Sequence, residues 1–364
     1  MKKNILVLTN SISGLYSFRK EVMKAIIDEG FSLYISEPDD NEKAKYFEDI
    51  GCKIIKTRFD RRGMNPLSDL MLVIKYIKLI NKIKPQTVLT YTIKPNVYGG
   101  LACQITRTPQ LANVTGLGDA IENGGWLQNL TIFLYRLGIS KAQRVFFQNG
   151  HNKDFCVKSG IVSKDSIVLP GSGVNLEHHT FQPYPSNNII KFLFIARLLK
   201  DKGTEEFFEM ATIIKEKYPD TEFHILGNCE GNYKGQLEKL VKENIIIYHG
   251  TTIDVRPFIK EVHCTILPSY HEGMSNVNLE SAANGRPVIT TNVPGCRETV
   301  DDNITGYLVK PKCTEDLVEK VEKFINLPYE KKKAMGLAAR NRVEREFDRG
   351  IVINAYLNEI LRFN

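Results

Sequence analysis

No apolar run in this chain reaches the roughly 18 residues that a membrane-spanning helix needs. The N-terminal stretch Ile5–Leu8 follows two lysines, as a secretion signal would, but it stops after four residues with no small-residue cleavage site. It reads as a first β-strand. Cysteine is sparse and unpatterned: seven residues, at 52, 103, 156, 229, 264, 296 and 313, with no C-x-x-C pair. That signals neither a disulfide framework nor a zinc site, and a reducing cytoplasm fits. No D-x-D triplet occurs, so nothing argues for a metal ion holding a diphosphate. Internal repeats and low-complexity tracts are also missing, which excludes solenoids and disordered tails.

What is present is ordinary soluble composition, 42% hydrophobic and 25% charged over 364 residues. That length exceeds one ordinary core and predicts two domains. The net charge of +7 is uneven. Up to Ser186 there are 24 Lys/Arg against 16 Asp/Glu, or +8, and the remainder carries 25 against 26, or −1. A basic half beside a neutral one is attracted to an anionic surface or substrate, or simply carries a solvated basic face.

Strand and helix patterns alternate along the chain. Strands are predicted at 4–9, 31–36, 52–56, 87–91, 110–114 and 144–148, with helices at 16–29, 42–50, 67–83, 97–106, 127–141 and 152–159 between and after them. Residues 160–190 break the pattern with Pro170-Gly171-Ser172-Gly173 and the polar, proline-containing stretch from Pro183. A second alternation starts near Ile190. The predicted class is α/β, two doubly wound Rossmann-like domains facing across a cleft, spanning 1–185 and 186–345, with a last helix at 346–364 packing back on the first.

The most informative segment is Tyr270-His271-Glu272-Gly273-Met274-Ser275-Asn276-Val277-Asn278-Leu279-Glu280. It follows a buried strand, Cys264–Leu267, stopped by Pro268. Glu272 is expected on the strand-to-helix loop and Glu280 on the helix beyond it. Gly273, Met274, Ser275 and Asn276 lie where helix N-terminal amides form an anion site. Amides for phosphate, flanked by carboxylates for hydroxyls, suit a nucleotide-sugar. Arg197 and Lys202 follow the strand that ends at Ala196, where two cations can neutralise a diphosphate leaving group.

In the first half, Ser13-Gly14 forms a small-residue loop that is not G-x-G-x-x-G, with Arg19 about one turn into the following helix, facing either the cleft or solvent. Lys94 and Asn96, and Thr115, Gly116 and Gly118, lie at predicted strand ends. Lys94 can meet an anionic acceptor, with Asn96, Thr115 and Gly116 also expected to bind that acceptor, while ordinary turn chemistry accounts equally well for the glycines. The helix at 67–83 carries Leu70, Met71, Val73, Ile74, Ile77 and Ile80 with Lys75, Lys78 and Lys82, preceded by Arg58, Arg61 and Arg62. Most of its apolar residues are expected in the core, with a basic rim able to rest on an anionic membrane. His271 beside Glu272 reads as structural, since no nucleophile accompanies it.

Taken together, these residues resemble glycosyltransferase family 4, retaining enzymes of the GT-B fold. The likeness covers essentially the whole chain and is strongest from Ile195-Ala196-Arg197 through Lys202-Gly203 to Glu272, Glu280 and Gly285-Arg286-Pro287. It implies that Glu272 contacts the donor sugar, Glu280 the ribose hydroxyls, and Arg197 and Lys202 the diphosphate. The Gly273–Asn276 amides and Gly14 would also meet the donor, with the base near Gly250–Val255. Many members carry a histidine where Thr115 stands here. The Lys94-Pro95-Asn96 and Thr115-Gly116 stretches instead look like a bacterial subgroup that adds N-acetylhexosamines to undecaprenyl-diphosphate-linked glycans.

The resemblance implies a UDP-sugar substrate, a polyprenyl-diphosphate-linked saccharide acceptor, an anionic membrane surface as partner, and no metal or nucleic acid. It implies peripheral attachment to the inner face of the cell membrane. A sugar-nucleotide epimerase, or a non-catalytic nucleotide-sugar-binding subunit, would share the fold and the UDP site.

Overall fold

The computed structural model describes residues 3–38, 41–61, 63, 65–116, 125–186, 189–229 and 231–362. Arg62 and Gly118, named above, lie outside the described residues. The chain forms two compact units: residues 1–172 with 350–364, and residues 173–349.

The first unit holds strands β1 (Asn4–Leu8), β2 (Ser32–Glu37), β3 (Lys53–Lys56), β4 (Thr87–Tyr91), β5 (Gln110–Val114), β6 (Arg144–Phe147) and β7 (Ile167–Val168). They form one parallel sheet in the order β3-β2-β1-β4-β5-β6-β7. Its central strands read as apolar runs, as they must when helices cover both faces. Ile5, Val7, Leu89, Leu111 and Phe146 fill one side, and Leu6, Leu8 and Val88 the other. Helices α1 (Ile12–Asp28), α2 (Ala44–Asp49), α3 (Pro66–Ile83), α4 (Gly100–Thr106), α5 (Gly125–Ile139) and α6 (Gly150–Lys158) make the crossovers. A π-type turn at Pro95–Gly99 leads into α4.

The second unit repeats the plan. Strands β8 (Ile190–Ile195), β9 (Thr221–Leu226), β10 (Ile246–Tyr248), β11 (Cys264–Leu267), β12 (Val288–Thr291) and β13 (Gly306–Val309) lie parallel in the order β10-β9-β8-β11-β12-β13. Helices α7 (Thr204–Lys217), α8 (Lys234–Lys242), α9 (Arg256–Glu261), α10 (Asn276–Ala283), α11 (Thr314–Ile325) and α12 (Tyr329–Glu346) flank it. Its core centres on Phe192, Phe194, Phe207, Phe223 and Phe324. In both sheets the order reverses beside the first strand, between β1 and β4 and between β8 and β11. Chain crossing to opposite faces there leaves a crevice at the strands' carboxyl ends.

The units divide at Ser172/Gly173 rather than at 185/186. The reason is pairing: Val174 bridges Asp348 and donates its N–H to Phe347 O at 2.8 Å. Further along the segment, buried Arg286 donates to the carbonyls of Gln182 and Pro183. The last helix, α13 (Arg349–Leu361), buries Val352, Tyr356 and Ile360 in the first unit's core. Helix α3 departs from expectation. Val73 and Ile80 are buried, but Leu70, Met71 and Ile74 are exposed, so half of the named apolar set is not core.

Candidate active site

The switch point of the second sheet lies where β8 and β11 end side by side, Cys264 pairing with Phe192 and Thr265 with Leu193. The segment after β8 brings Arg197 and then a short turn, Lys200–Lys202. Gly203 closes that turn in the left-handed region at φ +72°, and a Cβ there would stand 2.2 Å from Pro268 O. Only glycine lets this loop lie so close against the segment after β11. Tyr270 N donates to Asp201 O at 2.8 Å and cross-ties the two loops.

The result is a direct pairing: Lys202 Nζ stands 2.7 Å from Glu272 Oε1, both side chains largely shielded from solvent. Ser269, fully buried, places its Oγ 3.0 Å from the same oxygen. Its sequence position, directly after Pro268 at the strand end, is the signal that would have found it. From behind, Gly295 presses on the Glu272 loop with its φ of +83°, and a Cβ there would meet Glu272 O at 2.2 Å. Gly295 N–H donates to Glu298 Oε2 at 2.7 Å, and Gly295 O accepts from Ser275 N at 2.8 Å. Glu298 is a second supporting residue that pattern reading missed.

Ser275 caps α10, its Oγ accepting from Asn278 N at 3.3 Å. Asn278 is fully buried and donates to Thr290 Oγ1 and Thr299 Oγ1, fixing the helix over β12. The amides of the first turn are thereby aimed outward, with the helix dipole's positive end. Met274 buries its side chain beside Val174 and Leu279, so only its backbone is available to a ligand. Asn276 is partly buried, and its Oδ1 is a buried acceptor without a donor among the described residues.

Glu280 lies on α10 with no hydrogen-bond partner for its carboxylate among the described residues. Burial pushes its carboxyl up to about 7, while the charge of Arg349 pulls the other way. A desolvated acceptor without a donor is suited to a hydroxyl-bearing ligand. Arg197 is exposed, and among the described residues no ion pair holds it. Val255 packs on Ile195, Leu226 and Ile259 just before α9, after the β10 end. Next to it Arg256 grips Asp254 through both carboxylate oxygens at 2.8 Å, holding that carboxyl down at about 2. Thus Arg197, Lys202, Val255, Glu272, Gly273, Met274, Ser275, Asn276 and Glu280 all follow carboxyl ends of strands in one unit.

The first-unit residues fare differently. Gly14 is not in a loop: α1 begins at Ile12, capped by Ser11, and Gly14 N–H donates to Ser11 Oγ at 3.1 Å. Arg19 faces neither a cleft nor solvent; it is buried and donates to Tyr356 OH at 3.3 Å. Asn96 is wholly buried, accepting from Thr90 Oγ1 at 2.7 Å and donating to Asn113 O at 2.8 Å, which removes it from any acceptor surface. Lys94 is already paired, 2.7 Å from Asp69 Oδ1. Thr115 and Gly116 remain accessible at the end of β5.

Two doubly wound parallel sheets, with cations and carboxylates gathered at the second switch point, define a protein of the GT-B fold class. The family description "Glycosyl transferases group 1" matches residues 179–342, and "Glycosyl transferase 4-like" matches residues 4–149. The chain belongs to these glycosyltransferases. It is similar, at 28% identity over 96% of each chain, to the N,N'-diacetylbacillosaminyl-diphospho-undecaprenol alpha-1,3-N-acetylgalactosaminyltransferase of Campylobacter jejuni. It is 26% identical to the capsular polysaccharide biosynthesis glycosyltransferase CapM of Staphylococcus aureus, over 88% of this chain and 87% of that one. Among solved structures, a Rickettsia africae glycosyltransferase superposes with a TM-score of 0.80 at 21% identity, covering 100% of this chain and 98% of that one. Anabaena HepE in complex with UDP superposes at 0.81 with 17% identity and full coverage of both.

Proposed function

We propose that this glycosyltransferase moves a sugar, GalNAc or GlcNAc, from a UDP-sugar to a hydroxyl of a polyprenyl-diphosphate-linked saccharide, with retention. The observation that carries the proposal is the Lys202–Glu272 pair at the β8/β11 switch point, followed by α10 with its N-terminus and Glu280, whose carboxylate has no hydrogen-bond partner among the described residues. An amide cluster and two cations match a diphosphate, and two carboxylates match a sugar and a ribose. The names of the Campylobacter jejuni relative and of an Escherichia coli relative 26% identical over 73% of this chain, an alpha-1,3-galactosyltransferase acting on a diphosphoundecaprenol-linked sugar, support the acceptor class.

In this reaction the bond from the sugar's anomeric carbon to the diphosphate oxygen breaks as the acceptor oxygen bonds to that carbon from the same face. The acceptor's proton passes to the departing diphosphate. Arg197 and Lys202 stabilise the charge that builds on it, and Glu272 orients the sugar. Peripheral attachment to an anionic membrane on the cytoplasmic side would bring enzyme and acceptor together. No helix among the described residues is long and apolar enough to cross a membrane. We propose that transfer needs no metal cofactor.

Incubating the purified chain with UDP- and GDP-sugars, with and without chelator, and following free nucleotide tests the reading. Release of UDP from UDP-N-acetylhexosamines, surviving chelation, supports it. Silence with every UDP-sugar, or release of an epimerised UDP-sugar, overturns it.

A further inference from the structure

Tyr270 precedes Glu272 by two residues, and its side chain makes a second link between the segments that carry Lys202 and Glu272. Its hydroxyl donates to Glu206 Oε1 at 2.6 Å. Glu206 stands in the first turn of α7, three residues after Gly203, where the helix N-terminus favours a negative charge. It is buried, and among the described residues no cation pairs with its carboxylate. The second oxygen, Oε2, is a buried acceptor with no partner there. Neighbouring Glu205 is occupied elsewhere, accepting from Tyr233 OH at 2.9 Å and lying 3.9 Å from Lys200 Nζ. Among the described residues, the Tyr270 phenol is thus the one side chain that satisfies Glu206.

Other contacts fix the same segment. Lys312, in the loop after β13, places Nζ 4.9 Å from the centre of the Tyr270 ring, a cation near an aromatic face. Tyr270 N–H and Ser269 Oγ both donate to Asp201 O, at 2.8 and 3.1 Å. Burial, then the bond to Glu206, raises the phenol above its usual range, so it remains a donor at neutral pH. Residues 269–272 are therefore tied to residues 201–206 by the Asp201 carbonyl, by Lys202–Glu272 and by Tyr270–Glu206. Under the proposed function, a diphosphate draws Lys202 away and breaks the ion pair. The bond from Tyr270 to Glu206 includes no group that the ligand takes, so it outlasts that exchange.

Resting on that reading, we infer that Tyr270 and Glu206 form a latch that keeps Glu272 in place once Lys202 has turned to the donor's diphosphate. Tyr270 is a positioning residue, acting through the Glu272 loop and not on a reacting atom. A phenol donating to a carboxylate makes a charge-assisted bond, roughly twice as strong as a neutral one, which suits the one side-chain tether from this loop to α7. Loss of the latch misaligns the sugar while leaving the nucleotide's contacts alone.

The test compares Tyr270→Phe, Glu206→Gln and the double variant Tyr270→Phe/Glu206→Leu with wild type, all in the full chain. Free UDP released from UDP-N-acetylglucosamine or UDP-N-acetylgalactosamine gives kcat, and calorimetric titration with UDP gives its dissociation constant. Each variant is assayed at a temperature where circular dichroism shows it folded. Tyr270→Phe should lose about tenfold in kcat, with the UDP dissociation constant unchanged within about twofold. Glu206→Gln keeps an acceptor for the phenol and should retain most of the rate. The double variant strands no carboxylate, so it should fold even where Tyr270→Phe does not, and should be equally slow. Wild-type kcat in the double variant overturns the latch. So does a UDP affinity that falls as far as kcat, the mark of general damage to the unit. Glu272→Ala, run alongside, separates the two readings. Normal turnover there sinks the proposed site and the latch with it, whereas a slow Glu272→Ala beside a normal double variant sinks the latch alone.

Discussion

Lys202 and Glu272, 70 residues apart in sequence, meet at 2.7 Å because Gly203 lets their two loops lie in contact. The ammonium cancels the carboxylate's charge in a largely shielded place, so neither group is free to wander. Under the proposed function, an incoming diphosphate would compete for the ammonium and leave Glu272 to a sugar hydroxyl. Lys202→Ala should therefore lower kcat by about 10²–10³, the usual loss when one charge-stabilising group is removed. Glu272→Ala should be as damaging. Stranding one partner of a shielded pair costs up to a few kcal/mol, so turnover is compared at a temperature where thermal melts show each variant folded. Wild-type turnover in either variant removes the assignment.

Ser269 acts through Glu272 rather than on a substrate. Its hydroxyl reaches Glu272 Oε1 and the carbonyls of Asp201 and His271. Ser269→Ala should cut kcat by roughly tenfold, the effect of a single neutral hydrogen bond to a charged group. The dissociation constant for UDP should barely move, and Ser269→Thr should recover part of the rate. A loss of UDP affinity equal to the loss of kcat would show a merely structural role.

Glu280 sets a pH dependence. Its carboxyl is raised from the ordinary 4.5 to about 7 by burial. The folded state therefore binds more protons than the unfolded one between those values, and stability falls as pH rises through this window. Above about 7 the carboxylate is charged in both states and the penalty, on the order of 3 kcal/mol, is constant. Glu280→Gln should raise the melting temperature of the ligand-free protein at about pH 8 and leave it unchanged at about pH 4. Under the proposed function ribose hydroxyls would donate to the ionised form, so wild-type affinity for UDP should rise with pH across the same window and the variant's should not. A flat wild-type profile would show that Glu280 does not meet the nucleotide.

Much of this was legible beforehand because local signals and burial agreed. Apolar runs such as Phe192–Ile195 and Cys264–Leu267 can only be central parallel strands, and Pro268 marks where one must stop. Glu272, Glu280, Arg197 and Lys202 then fall at strand ends by counting. Illegible residues were those whose partners are remote. Arg19 is expected to face the cleft or solvent and Asn96 to bind the acceptor, yet Tyr356 and Asn113 receive them in the interior. Likewise the domain boundary moved because Val174 pairs with Phe347 and Arg286 collects carbonyls over 100 positions upstream, pairings that no periodicity encodes. Gly14 was misplaced for a smaller reason. Ser11 is itself a good helix cap, and weighting it would have started α1 two residues before Gly14.

Gly295 tests whether the backbone behind Glu272 matters. Alanine there must adopt a positive φ and place its methyl 2.2 Å from Glu272 O. The conformation alone costs about 1 kcal/mol, and relieving the overlap requires the Glu272 loop to move. Gly295→Ala should lower stability by roughly 2 kcal/mol or more in urea. It should also reduce turnover well beyond what the lost stability explains, because Glu272 and the Ser275 cap shift together. An alanine variant with normal kcat would mean that the loop's position is not critical.

Asn96 separates a structural from an acceptor role. Its amide joins Thr90 on β4 to Asn113 on β5, and Gln110 Nε2 adds bonds to Thr90 Oγ1 at 3.0 Å and Asn96 O at 3.3 Å. Every one of these groups is buried, so truncating Asn96 strands two of them in a low-dielectric interior. Asn96→Ala should therefore destabilise the protein by about 2–3 kcal/mol, seen as a lower urea midpoint with an unchanged slope. At a temperature where the variant is fully folded, KM for the lipid-linked acceptor should match wild type. A raised acceptor KM with unaltered stability would instead return Asn96 to the acceptor site. It would also mean that the β4–β5 edge opens during catalysis.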